Sequence, residues 1–318
     1  METGWATDPD LRFFGASGGA LSGLLLHLLR SGEVTDVVQI AAAPGNPIAN
    51  STVISTSRSD ILNAAGSRYA PSAPLAHLEE LVNSGQRHAF VGKPCDVVAL
   101  RALANENVNV AAAFPVMLSF FCAGVPSETG GRAVLTALGV KLETVARFRY
   151  RGRGWPGRAT AVLRDGSERS MSYHDSWGGI LSKHGQHRCK ICADGTGKAA
   201  DIVCADAWES DTTGYPVFDE AEGVSLIVCR TALGGRILEG AVAAGQIETT
   251  PFNVAQLAAI QPGQRERRRA LLARLLALRL TGRPVPRYRG LNLWSAARQN
   301  SYLRNLKNFF GMLRRVFW

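Results

Sequence analysis

The chain has 318 residues, 46% of them hydrophobic and 19% charged, which is enough apolar content to bury a core and too much for disorder over most of its length. Its formal charge of +10 is lopsided: residues 263–318 hold 14 Lys and Arg against one acid, Glu266, a net of +13, while everything before them sums to −3. A slightly acidic body excludes a nucleic-acid-binding core, and the opening METGWATDPD has neither the basic start nor the small-residue cleavage site of a secretory signal, so the expected location is cytoplasmic.

A glycine-rich turn, GASGG at 15–19, opens a helix whose leucines recur at helical spacing up to Gly32, and a strand is predicted over 34–43. A Pro/Gly/Asn-rich loop, a short strand near Val53, a helix from about Ser59 and a second helix over 75–83 come next. HAFVG then reads as a strand, CDVVALRAL as a helix and VAAAFPVMLSFFC as a strand region. Between 145 and 173 the runs FRYRGR, ATAVLR and ERSMSY, separated by GWPG and DGS, predict an antiparallel meander. A helix over 177–184 leads to a C-x-x-C, strands hold Cys204 and Cys229, and a helix over 233–244 stops at Gly245. The alternation predicts an α+β, mixed α/β fold: mixed sheets with flanking helices, an antiparallel strand region in the middle and basic helices at the C-terminal end. The longest nearly apolar runs, 20–29 and 111–125, fall short of the ~20 residues a membrane span needs.

In the basic end, Leu303, Leu306, Phe310, Leu313 and Phe317 share one helical face, with Arg304, Lys307, Arg314 and Arg315 among the other positions. Such a helix suits peripheral contact with an anionic membrane on its inner face, docking on a partner subunit, or docking on its own body.

Six cysteines in a reducing compartment call for a packing or a chemical reason each. Cys204 and Cys229 lie in short β-branched runs and read as core. Cys95, Cys122, Cys189 and Cys192 lie at the ends of apolar runs beside Gly, Pro or polar residues, and the 27- and 67-residue gaps mean that only the fold can bring them together. Four thiolates suit a structural zinc or a [4Fe-4S] cluster, and spacing alone leaves both open. GASGG offers backbone N–H groups at a helix N-terminus where a phosphate is welcome; GSRYAPSAP at 66–74 allows close backbone approach, with Arg68 to pair a phosphate and Tyr69 to stack on a planar ring.

Taken together, GASGGALSGLLLHLL, SDILNAAGSRYAPS, VGKPCDVVALRAL, SFFCAGVPS and HRCKICADGTGKAADIVCADAW resemble the beta-subunit family of coenzyme F420 hydrogenases and dehydrogenases, in family order over about residues 13–250. The resemblance implies an iron–sulfur flavoprotein oxidoreductase, with a [4Fe-4S] cluster on Cys95, Cys122, Cys189 and Cys192, and FAD along Ser17, Gly18, Gly19 and Ser22 and along Gly66, Ser67, Arg68 and Tyr69. Lys93, Arg68 and Lys183 are candidate phosphate contacts, and coenzyme F420 is the hydride partner that the family name suggests. Hydride transfer at a flavin needs no dedicated acid or base, so no catalytic residue is assigned, and His174, His184 and His187 read as satisfied or exposed. The implied organisation is an FAD-associated region over 1–86, an iron–sulfur and flavin domain over 87–258 and a basic amphipathic helical tail over 259–318. The extra ferredoxin-like domain of many relatives would need cysteines that are not present, so electrons must pass to a separate redox partner protein, such as a ferredoxin or another subunit. One departure is that Cys204 and Ala205 replace the glycine-bearing pattern expected before Asp206 and Trp208. The competing reading is a zinc-stapled, non-redox accessory protein of surface-polysaccharide or cell-envelope synthesis.

Overall fold

A computed structural model describes residues 1–207, 217 and 219–317; Trp208 lies outside the described residues. Strand β1 (Glu2–Ala6) leads through helices α1 (Pro9–Phe14) and α2 (Ala20–Arg30) into β2 (Asp36–Ala43) and β3 (Asn46–Ser55). Next come α3 (Arg58–Ala64), α4 (Leu78–Asn83), β4 (His88–Gly92), α5 (Pro94–Glu106), α6 (Val108–Ala113), β5 (Val116–Phe120) and α7 (Glu128–Ala137). The meander β6 (Val145–Arg149), β7 (Arg158–Leu163) and β8 (Glu168–Ser172) precedes two irregular helical turns, His174–Ile180 and Leu181–His184, and the one-turn α8 (His187–Lys190). The chain continues through β9 (Ile202–Asp206), β10 (Ser225–Cys229), α9 (Ala232–Ala243), β11 (Ile247–Pro251), α10 (Leu257–Ile260), α11 (Pro262–Leu280), α12 (Leu293–Arg298) and α13 (Tyr302–Phe317).

The fold is mixed α/β. Eight strands form one sheet in the order β11-β1-β10-β9-β5-β4-β2-β3, with β9, β5, β4 and β2 parallel and the flanking strands antiparallel. The parallel strands are covered on both faces, which is why HAFVG and VMLSF read as continuous apolar runs without alternation. Leu24 and Leu28 of α2 and Ile237 of α9 pack on one face, and Val97 and Leu100 of α5 with Phe114 on the other. Buried Asp201 ties strand to helix: one carboxylate oxygen accepts from Met117 N (2.9 Å) and from Arg101 (2.8 Å), the other from Thr231 Oγ1 (2.9 Å). The meander stands apart as a three-stranded sheet around Phe148 and Tyr150.

Three sequence expectations need correction. The loop expected after β2 is mostly strand: a tight Pro44–Gly45 turn, with Gly45 at φ +75°, joins β2 to a ten-residue β3. The strand region VAAAFPVMLSFFC divides, because Asn107 caps the helix α6 through Asn109 N (2.9 Å) and Pro115 lets a strand start only at Val116. Of the basic end, α13 docks on its own body through Phe309, Met312, Leu313 and Val316 against Leu271, Leu275 and Leu278 of α11, leaving Leu303, Leu306, Phe310 and Phe317 exposed. The expected single face is split, Leu313 turning to the body while the other four stay exposed, and of the three contacts expected, docking on its own body is the one seen among the described residues. Strands β1 and β11 and helix α7 had no strong periodic signal.

Candidate cofactor and cysteine site

A cavity of about 320 Å³ opens at the carboxyl ends of the four parallel strands, where Gln39, Gly92, Phe120 and Asp206 line its wall. This is the usual ligand position in an open α/β sheet, and the volume falls within the roughly 300–1,000 Å³ typical of small-molecule and cofactor sites.

The glycine turn is built for close approach. Gly18 and Gly19 sit at φ +71° and +67°, and a Cβ on Gly19 would overlap the Leu11 carbonyl, so α2 can begin here only with glycine. Ser17 lines the cavity and is fastened to β10: its Oγ donates to Val224 O (2.9 Å), and Ser225 Oγ donates to Ser17 O. Gly19 and Ser22 also line the cavity, whereas Gly18 packs against Gly223.

Gly66, Ser67, Arg68 and Tyr69 form the facing wall. Gly66, at φ +95°, leaves no room for a Cβ against Arg151 O (2.9 Å). The Arg68 guanidinium donates to Asn50 Oδ1 (2.9 Å), Phe148 O (3.0 Å), Pro47 O (2.9 Å) and Ala49 O (2.6 Å), so the charge expected to meet a phosphate is spent on joining the meander to β3. Tyr69 stands 4.7 Å, centroid to centroid, from Trp177, and both rings line the cavity. Lys93 also lines it, its Nζ held by Ser72 Oγ (2.7 Å) and Asp96 Oδ2 (2.7 Å). Lys183 lies on an exposed turn and is absent from the wall.

Buried Arg151 and half-buried Asp206, Tyr173 and Trp177 are wall residues to which the sequence reading gave no role in the site. Arg151 gives both Asp206 oxygens a hydrogen bond (3.0 Å each), donates to Pro156 O (2.7 Å) and lies 4.6 Å from the Tyr173 ring. FRYRGR carried a signal for Arg151 alone, a basic and aromatic run leading into a glycine turn.

Cys122 is on the cavity wall, and the other three cysteines of the set lie beyond it. Cys95 is at the first turn of α5, while Cys189 and Cys192 bracket the end of α8. Burial pushes the Cys122 thiol up to about 11, against the pull of the Gly124 N–H and the Arg267 charge; Cys189 and Cys95 add to the rise. Shielding from water, then Asp96, raises Cys95, and Cys192 and Cys189 contribute. Cys192 is raised chiefly by burial, with Cys189 again contributing. The four thiols are thus electrostatic neighbours, although among the described residues no group of three or more His, Cys, Asp and Glu side chains is arranged to hold a metal ion. Their loops interlock: Cys122 N donates to Gly195 O (2.8 Å) and Val125 N to Cys189 Sγ (3.3 Å). Asp194 closes the turn after the C-x-x-C by accepting from Thr196 N (2.9 Å) and Lys198 N (2.7 Å). Cys204, in β9, is 5% exposed, belongs to the main core and has its thiol pushed well up by burial. It also touches the cavity wall.

A glycine-cradled cavity at the head of a parallel sheet, with Cys122 on its wall, defines an α/β protein with a pocket of small-molecule size. Residues 85–255 match the family model for the C-terminal part of the coenzyme F420 hydrogenase/dehydrogenase beta subunit, and residues 1–79 match the model for its N-terminal part. The chain belongs to this family, whose role is oxidation–reduction. It is 26% identical over 249 residues to the coenzyme F420 hydrogenase subunit beta of Methanococcus voltae, covering 77% of this chain and 81% of that one. The subunit beta of F420-dependent formate dehydrogenase 1 from Methanococcus maripaludis is 27% identical, with 78% and 60% covered. In the fold, a chain of the F420-reducing [NiFe] hydrogenase complex from Methanosarcina barkeri superposes with a TM-score of 0.67 at 20% identity, over 90% of this chain and 94% of that one.

Proposed function

We propose that the chain is an iron–sulfur flavoprotein subunit that passes electrons between a [4Fe-4S] cluster and a hydride donor or acceptor through FAD. The observation that carries this reading is contiguity: the glycine turn, Tyr69 and Lys93 share one cavity with Cys122, one of the four thiols of the set. Bound there, FAD would exchange a hydride as a pair of electrons and pass electrons singly to the cluster, which is why the two groups belong in one fold. The residues fit both groups. Backbone N–H groups at the start of α2 favour a pyrophosphate, Lys93 offers an N–H donor from its pair with Asp96, and Tyr69 and Trp177 offer flat faces to a ring system. Four thiols whose charges act on one another are the soft donor set that a cluster needs, and Cys95, Cys122, Cys189 and Cys192 would hold it. The Arg151–Asp206 pair stiffens the cavity wall. Coenzyme F420, named in the relatives' descriptions, is the proposed hydride partner. Because those relatives are subunits, we assign electron exchange to a redox partner, a ferredoxin or another subunit. The exposed row Leu303, Leu306 and Phe310 is the face we give to such a partner or to peripheral membrane contact; no helix among the described residues is long and apolar enough to cross a membrane.

Anaerobic purification with flavin and iron quantification tests the reading. We expect FAD and iron together, with Cys122→Ser and Cys189→Ser losing iron and keeping flavin, and Cys204→Ala keeping both. A colourless preparation, or one zinc without iron, would overturn it in favour of a zinc-stapled accessory protein.

A further inference from the structure

Helix α11 lies outside both matched segments, yet it makes the densest set of side-chain contacts to the cysteine loops. From it, Gln264 Nε2 and Arg267 Nη1 both donate to Cys122 O (3.0 and 2.8 Å), and Arg267 Nη2 donates to Ala123 O. Arg268 reaches Ala193 O (3.2 Å) and Arg274 reaches Lys190 O (2.9 Å), while Tyr288, just past the helix, donates to Ile191 O (2.6 Å). The carbonyls of Lys190 inside the C-x-x-C, of Ala193 just after it and of Cys122 are therefore capped from a single element. Ile191 and Ala193 are buried against Leu271, Leu275 and Leu278 of the same helix. Gly195 closes the arrangement, since a Cβ there would overlap the Gln264 side chain and crowd Cys122 O at 2.9 Å. Among the described residues neither Arg267 nor Arg274 has a carboxylate within ion-pair distance, and the Arg267 charge acts on both Cys122 and Cys192. A cation held on carbonyls, without a carboxylate partner among the described residues and close to the Cys122 and Cys192 sulfurs, is what a net-negative thiolate-bound group calls for.

We propose that α11 is a built-in clamp on the cysteine site and that Arg267 is its positioning residue, holding the Cys122 loop in place and setting a fixed positive charge beside the thiols. The charge half of this rests on the iron–sulfur reading; the clamp half does not. Two measurements on the full chain separate them, with Arg267→Gln, Arg267→Lys and Arg274→Gln compared with the exposed control Arg298→Gln. In iron-free protein, hydrogen–deuterium exchange at residues 122–125 should run roughly tenfold faster in Arg267→Gln, the effect expected for lost charge-assisted hydrogen bonds, and should be faster at 190–193 in Arg274→Gln, with the sheet unchanged. In iron-loaded protein, an EPR-monitored redox titration should find a lower midpoint potential for Arg267→Gln and one near wild type for Arg267→Lys, which keeps the charge but not the forked hydrogen bonds. Wild-type exchange in both loops overturns the clamp, and an unshifted potential in Arg267→Gln overturns the charge role. If the wild type takes up no iron, the cofactor reading fails while the exchange data still decide the clamp; if Arg267→Gln unfolds throughout, Arg267→Lys and Arg274→Gln decide it.

Discussion

The cavity wall and the cysteine loops lie side by side, but the first is held by the sheet and the second by side chains arriving from α11. On the wall, Ser17 is fastened to β10, Gly66 to the Arg151 backbone, and Gly92 and Asp206 end paired strands. Around the cysteines, residues 121–125 and 190–199 form no strand, and the carbonyls of Cys122, Ala123, Lys190, Ile191 and Ala193 are satisfied by Gln264, Arg267, Arg268, Arg274 and Tyr288. A site with local backbone order tolerates change at its rim and fails at its glycines. A site assembled from distant loops fails wherever the assembling element is loosened.

The largest effect should come from the wall. Gly19→Val combines left-handed strain with an overlap on the Leu11 backbone and should cost about 4 kcal/mol in urea unfolding, with flavin retention lost. A near-wild-type midpoint would mean that the turn is looser than its geometry. Next is Leu271→Ala, which removes a fully buried side chain between α11 and the C-x-x-C loop. About 3 kcal/mol should be lost, and exchange at 190–193 should rise if the clamp and the loop are one unit.

A pH effect of intermediate size should arise beside the glycine turn. Arg58 donates to both Asp8 oxygens (2.6 and 2.8 Å) and so holds the Asp8 carboxyl below its ordinary range; the Leu11 and Asp10 N–H groups help, against a smaller effect of burial. A carboxyl that is more acidic folded than unfolded contributes its full stability above the ordinary carboxylate range and loses it as pH falls through the folded value. Melting temperature should therefore be level from pH 7 towards about 5, then drop in more acidic buffer. Arg58→Gln should melt lower than wild type at pH 7 and converge with it in acid; parallel curves would show that the pair does not matter to α1 and α3. The smallest effect belongs to the exposed arc of α13. Leu303→Asp should stay within about 0.5 kcal/mol of wild type, while Met312→Ala, fully buried on the same helix, should lose roughly 2. Equal losses would mean that α13 has been assigned the wrong docking face.

Much of the wall was legible in the chain because its signals are local. GASGG before a leucine-spaced helix, HAFVG before a helix starting at Pro94, and the three meander runs each state their own geometry within about ten residues. Arg68 shows the limit of such reading. Its sequence context suited a phosphate, but the four acceptors around it come from β6 and from residues 47–50, which no local pattern brings together. Strands β1 and β11 were missed for a related reason: five-residue strands at one side of the sheet are made by their pairing with each other and with β10, not by their own periodicity.

By itself, then, the sequence determined the alternation of helices and strands, the glycine-rich turn that opens α2, the split of six cysteines between two in β-branched runs and four at the ends of apolar runs, and the segregation of +13 into the last 56 residues. Those properties follow from spacing and side-chain chemistry. Only the tertiary structure decided that Cys122 abuts the cavity, that Arg151 and Asp206 brace its wall, and that the basic end is turned inward as well as outward. Arginines of the basic helical tail donate to the carbonyls of the cysteine loops, because a carbonyl without a strand to pair with takes a donor long enough to reach it, and here that donor is more than 70 residues away along the chain.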